Sequence, residues 1–271
     1  MRRFTATGTG PAAAALVLAV LFLALLAPFI AGDPFDGGAD ALLPPLSAGH
    51  LLGTDDLGRD IWSQLAYGAR VSMLVGVVTA AIGLLIGLAV GATAGFLGGW
   101  VDGTLMRIGE FFQTLPRFVL ALIAVALFGP GLERVIIVIA LLSWPQTARV
   151  VRSLFASLRH AAYVDAARVG GMSDFRVVVT EILPNVLAPV IVLGSLDIAT
   201  AILLEAGLGF FGLGDPDRIS WGTMLNGAQQ YLRTAWWMAA FPGLAIALTV
   251  LGFNLLGDAL NHALDPKARR A

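Results

Sequence analysis

Six apolar stretches are spaced along the chain, each bounded by polar or charged residues. Residues 11–31 and 71–97 carry no charge. Two shorter runs, 118–128 and 135–144, flank Gly129-Pro130-Gly131, and two longer ones follow at 186–208 and 236–256. A helix that crosses a bilayer needs roughly 20 mostly apolar residues. Four of the stretches meet that length. The two short runs read as a tight hairpin whose helices continue into more polar ends. The pattern predicts an all-α integral membrane protein with six transmembrane helices.

Two intervening segments are too long to be simple connectors. Residues 32–70 form a loop rich in Asp, ending in an amphipathic helix expected to lie at the membrane interface, with Ile61, Trp62, Leu65 and Tyr67 turned toward lipid or protein. Residues 150–184 form a second loop, basic in character. Arg and Lys accumulate on the cytoplasmic side of membrane proteins. With the N-terminus inside, the inner segments hold Arg2, Arg3, Arg107, Arg149, Arg152, Arg159, Arg168, Arg176, Lys267, Arg269 and Arg270. The outer ones hold Arg59, Arg70, Arg134, Arg218 and Arg233. The bias predicts N-in and C-in. The chain divides into a cytoplasmic N-terminus at 1–10, a first span at 11–31, the outer loop at 32–70 and a five-span core at 71–271. Arg2-Arg3 before an apolar run imitates a signal peptide. No clear small-residue cleavage site follows, and five further spans do, so retention is expected.

Composition narrows the chemistry. The 271 residues are 58% hydrophobic and 13% charged, against about 45–50% and about 25% in soluble domains. With no Cys, thiolate metal sites and cysteine nucleophiles are excluded. His50, His160 and His262 show no ligand spacing. Asp55, Asp56 and Asp60 lack the spacing and closing Glu of a calcium loop. Arg59 and Arg70 are expected to pair with these carboxylates or with carbonyls. No glycine-rich phosphate loop ending in Gly-Lys-Ser/Thr is present. A machine using ATP would need another chain to bind it.

The inner loop carries the most specific motif. Tyr163–Arg168 reads as a short helix with Asp165 near its start, where the helix dipole favours an anion. Gly170-Gly171 breaks it. Ser173 or Asp174 can cap a second short helix over 175–181, and Pro184 sits at the entry to the fifth span. Asp165-Ala166-Ala167, three residues, Gly171, and then Leu183-Pro184 twelve and thirteen positions later resembles the signature loop of ABC importer permeases, which normally begins Glu-Ala-Ala. Glu181 stands where that family more often has Ile or His. The resemblance implies that Tyr163, Asp165, Ala166, Ala167, Gly170 and Gly171 belong to a docking surface for an ATPase subunit. The competing reading is an amphipathic segment held to anionic lipid by arginine.

Further stretches resemble the dipeptide/oligopeptide/nickel branch of that family. They are Gly53-Thr-Asp55 through Gly58-Arg59-Asp60, Glu205 to Gly214 with Ser220-Trp221-Gly222, Pro242-Gly243, Asn254 to Asp258, and Leu264-Asp265-Pro266. Gln64 replaces the Arg often found there. Gly209-Phe210-Phe211 replaces Ser-Phe-Leu. The first span followed by a long outer loop resembles the second permease of the pair. The family implies a heterodimer with a homologous permease, two ATPase subunits that bind ATP and Mg, an extracytoplasmic binding protein, and residence in the bacterial cytoplasmic (inner) membrane. It implies no cofactor, no catalytic residue and no nucleic acid in this chain. Its cargo would be short peptides; alternatives are nickel or a metal chelate, or coupling to an ion gradient in a secondary transporter.

Charges inside spans are costly and usually face protein or water. Asp197, beside Ser195 and Thr200, lies near the middle of the fifth span. It is expected to face the translocation pathway and meet a peptide's ammonium group, or else to bond a neighbouring helix. Ser195 and Glu205 are grouped with it. Glu205 would join an outer gate or pair with Arg218 or Arg233. Trp221, Trp236 and Trp237 suit an interfacial belt. Gly76, Gly83, Gly87, Gly91 and Gly95 suit close helix packing.

Overall fold

The computed structural model describes residues 9–47 and 49–264. The markers Arg2, Arg3, Lys267, Arg269 and Arg270, together with Asp265 and Pro266, lie outside the described residues. Among the described residues ten α-helices, a 3₁₀ turn and a π turn follow in order, with only isolated β-bridges between loop residues. They are α1 (Thr9–Ile30), α2 (Ile61–Leu97), α3 (Gly99–Thr114), α4 (Arg117–Phe128), α5 (Leu132–Leu158), α6 (Ala162–Val169), α7 (Asp174–Val177), α8 (Leu183–Phe210), α9 (Trp221–Ala228), a 3₁₀ turn (Gln229–Tyr231) and α10 (Trp237–Leu264). A π turn, Val178–Ile182, joins α7 to α8.

Among the described residues, five helices are long and apolar enough to cross a membrane: α1, α2, α5, the continuous run Asp174–Phe210, and α10. The pair α3 and α4 makes a sixth if counted as one span, bent by 83° at Leu115-Pro116. The direction of packing requires that reading. The glycine face of α2 lies on α5 in parallel: Gly83 meets Ser143, Gly87 meets Thr147, and Gly95 meets Phe155. Two parallel neighbours demand a return crossing between them, and only α3 with α4 supplies it. Accordingly Asp102 lies beside Arg152 and Gly109 beside Trp144, while Leu132, at the far end of α5, packs with Val125 of α4. The third span does continue into a more polar end beyond 118–128, as expected, but across a sharp bend and not as one helix. The α4 helix has 12 residues, or about 18 Å, and α3 completes the crossing. The fourth span is longer than its apolar run because α5 continues through Pro145 to Leu158.

Two other expectations change. The segment expected at the interface, 61–70, is the first part of the 37-residue α2, a rod about 55 Å long. Ile61 and Leu65 are buried in it. Asp60 starts the helix by accepting from Ser63 N at 2.8 Å, and Gly98 (φ 67°) with Gly99 (φ 57°) ends it in a left-handed reversal open to glycine. The second short helix, 175–181, is likewise not separate but runs through the π turn into α8. Pro184 gives the reason: it has no N–H for the carbonyl of Thr180, and its ring needs room there.

The helices alternate in direction. The described ends, Thr9 and Leu264, lie at the end of the bundle that carries α6, and the loop 32–60 caps the other end. A cluster around Ile202, Trp221, Trp237 and Phe253 joins α1, α2, α8, α9 and α10. A second cluster joins α4 and α5 to α2 and α8, and a third lies beneath α6.

Candidate functional site

The basic loop folds as a knob with a buried underside and an open top. Val164, Val177 and Ile182 are fully buried against Val151, Phe155 and Val186. This cluster fixes α6 to the ends of α5 and α8. On the opposite side Val169 is 91% exposed and Phe175 79% exposed. Tyr163, Asp165, Ala166, Gly170 and Gly171 are exposed around them, and Ala167 is half-buried. Gly171 has φ 86° and open space where a Cβ would stand. The helix break expected at Gly170-Gly171 occurs there. Neither Ser173 nor Asp174 makes a side-chain cap, although Ser173 occupies the N-cap position.

Three arginines of this end, Arg152, Arg159 and Arg168, are engaged with other parts of the protein. Arg168 donates to Arg159 O at 3.2 Å, lies 3.4 Å from Asp174 and 3.8 Å from Asp165, and stacks 5.4 Å from the Phe96 ring. Arg159 donates to the carbonyls of Gly95 and Phe96 at 3.4 and 3.3 Å, a cation at the C-terminus of α2 where the helix dipole favours it. Arg152 grips Asp102 of α3 through two hydrogen bonds. Sequence reasoning counted these arginines as side markers and missed their partners. Asp165 lies three positions from Arg168 on α6, a spacing the chain does show; Asp102, Gly95, Phe96 and the Phe96 ring are 50 or more positions from their arginines, and no local spacing reports them.

At the opposite end, Asp55 organises the outer loop. Its carboxylate accepts from Leu57 N, Arg59 N, Arg59 Nε and Gln64 Nε2 at 2.7–2.9 Å. The expected Arg59 pairing is present, and Gln64, a departure from the family pattern, completes the set. Arg70 instead stacks over Tyr67 at 5.8 Å. Among the described residues no group of His, Cys, Asp or Glu is arranged to hold a metal ion. Asp56 lies 3.4 Å from the Tyr231 hydroxyl. Its negative charge pushes the Tyr231 phenol above the usual tyrosine range.

The three grouped residues of α8 face different neighbours. Asp197 is half-buried and accepts from Thr147 Oγ1 of α5 at 3.1 Å. Ser195 bonds Val192 O at 2.7 Å and packs against Gly257 of α10. Glu205 is buried and accepts from Ser72 Oγ of α2 at 3.0 Å. The expected pairing of Glu205 with Arg218 or Arg233 does not occur; the serine at position 72 takes that place. Trp221 and Trp237 are also corrected. Both are buried, with Nε1 donating to Leu65 O and Thr54 O at 3.0 Å. Of the three, Trp236 is the exposed one.

A model of the family described as binding-protein-dependent transport system inner membrane component matches residues 83–270. The chain is 47% identical over 262 residues to the dipeptide transport system permease protein DppC of Escherichia coli (strain K12), spanning 94% of this chain and 87% of that one. It is 42% identical over 263 residues to the di/tripeptide transport system permease protein DppC of Pseudomonas aeruginosa (strain UCBPP-PA14), with 94% and 87% covered. Among solved structures, a chain of the inward-facing MetNI methionine ABC transporter superposes with a TM-score of 0.60 at 20% identity, covering 74% of this chain and 96% of that one. That likeness speaks for the fold alone. With its long apolar helices, the chain is a multi-pass inner-membrane protein, and it belongs to the family of binding-protein-dependent transport system inner membrane components.

Proposed function

We propose that this chain is the non-catalytic, channel-forming permease subunit of an ATP-driven importer whose cargo is short peptides. The observation that carries the reading is the knob: a rigidly founded surface with bare apolar residues, at the end of the bundle where the basic segments collect. Apolar groups exposed this fully on a structured element mark an interaction surface. The names of the relatives, which are dipeptide and di/tripeptide permeases, support the cargo.

In this reading the knob faces the cytoplasm, both chain ends lie on that side, and the loop 32–60 faces outward. Tyr163, Asp165, Ala166, Ala167, Gly170 and Gly171 form the ATPase-docking surface, with Val169 and Phe175 as its apolar anchors. A homologous permease completes the pathway as a heterodimer. Two ATPase subunits hold ATP and Mg, and an extracytoplasmic binding protein delivers cargo. Three residues, 159–161, separate the knob from α5, and the helix leaves it unbroken into α8. A push on the knob is therefore delivered to α5 and α8, the two helices joined by Thr147 and Asp197. Asp197 is the residue of the spans best placed to meet a peptide's ammonium group; Ser195 and Glu205 serve as packing and anchoring groups.

The test is co-purification of the detergent-solubilised complex together with uptake of a labelled dipeptide. Val169→Glu with Phe175→Glu is expected to release the ATPase subunits and abolish uptake while the permease pair survives. An ATPase that stays bound to this variant, or uptake by the permease without any ATPase, would overturn the reading.

A further inference from the structure

The outer end holds a cavity of about 290 Å³ lined by Tyr67, Arg70, Leu74, Asp217 and Arg218. Arg70 and Arg218 are exposed. Neither guanidinium pairs with a carboxylate, and neither donates a side-chain hydrogen bond, among the described residues; Arg70 only stacks on Tyr67. Two unspent cations converging on one cavity make an anion site, and a guanidinium fork suits phosphate oxygens. Asp217 adds one negative charge to the same rim.

What lies below the cavity identifies the anion. From Val71 to Leu97 the sequence of α2 contains no charge. Leu74, Val78, Ala81 and Leu85, at helical spacing, form an exposed stripe running away from the cavity along α2. Leu74 belongs to both the cavity and the stripe. A charged pocket set directly on an uncovered apolar helix face matches an amphiphile, with its head among the arginines and its chain along the stripe. A free peptide has no use for the stripe.

We propose that this cavity binds the phosphate headgroup of an outer-leaflet phospholipid, with an acyl chain lying along Leu74, Val78, Ala81 and Leu85. Asp217 accommodates the ammonium of a phosphatidylethanolamine. The site ties the outer end of α2 and the loop 215–219 to one lipid. It rests on α2 spanning the membrane with this end outermost, and not on the nature of the cargo.

The test places the whole importer complex in nanodiscs containing a phosphatidylethanolamine with a photoreactive group in its acyl chain. Illumination is expected to label the segment 70–89. Arg70→Ala with Arg218→Ala is expected to cut that label about tenfold, as loss of charge-assisted bonds does; the double Lys variant retains most of it, and an Arg134→Ala control retains all of it. Co-purification of the complex checks that each variant assembles. The proposal fails if the segment is unlabelled, if the double Ala variant labels equally, or if the stripe cross-links to the partner permease. It also fails if inorganic phosphate or a dipeptide displaces the lipid, which would make the cavity a site for free phosphate or for cargo. Dipeptide uptake measured in parallel keeps this outcome apart from failure of the importer reading.

Discussion

Asp55 shows how much one side chain can hold. Its carboxylate takes three donors from its own loop and a fourth from Gln64 of α2, and is almost wholly buried. Asp55→Ala strands Arg59 and Gln64 and is expected to cost about 2–4 kcal/mol, read as a lower melting temperature of the purified complex; Asp56→Ala, half-buried with a single long bond to Tyr231, should cost far less. Asp56 has a different signature. It opposes ionisation of Tyr231, so the phenol stays protonated to higher pH than an ordinary tyrosine. The folded state therefore holds that proton more tightly than the unfolded chain. The contribution is present below the usual tyrosine range and lost as pH rises through the raised value. In a spectrophotometric titration one of the three tyrosines should ionise late, and Asp56→Asn should bring it back toward the others.

Among the elements, the α2–α5 seam depends on the absence of side chains. A Cβ on Gly91 would stand 2.5 Å from the Ala148 carbonyl and 2.7 Å from Val151 Cβ. Neither backbone nor a β-branched carbon can step aside. Gly91→Leu is expected to destabilise by at least about 1–3 kcal/mol, the ordinary range for overpacking, and to reduce the yield of assembled complex. Gly103 in α3 has nothing within 4 Å of its Cβ position. Gly103→Ala should leave stability unchanged or raise it by about 1 kcal/mol through helix propensity. Comparable losses at both positions would show that the seam is not held by close approach.

The orientation of the whole molecule is open to direct measurement because the chain has no Cys. A single Cys at Val169 should react with a membrane-impermeant maleimide only after the cells are opened. A single Cys at Asp217 should react in intact cells. The reverse pattern would invert the proposed topology and remove the knob from the ATPase side. At the same scale, the bent pair of α3 and α4 is the least regular crossing. Its bend lies where Pro116 cannot continue the hydrogen bonding of α3.

Membrane residence, the number of crossings and the candidate docking loop were all legible along the chain. Uninterrupted apolarity, the distribution of arginine and the Asp165-Ala166-Ala167…Gly171 spacing are local properties, and local properties survive without a fold. The glycine stripe of α2 was legible for the same reason: its period of four is written along one helix. Which residues meet across the bundle became visible with the packing of the helices. Glu205 finds Ser72 from 133 positions away, and Trp237 finds Thr54 from 183. An indole or a carboxylate at a span's end is equally suited to lipid headgroups and to a buried partner; only packing chooses between them. The same holds for Ser195 and Asp197. Two residues apart on one helix, they face opposite neighbours, because a helix turns about 100° per residue and the positions of α5 and α10 around it are set by the bundle.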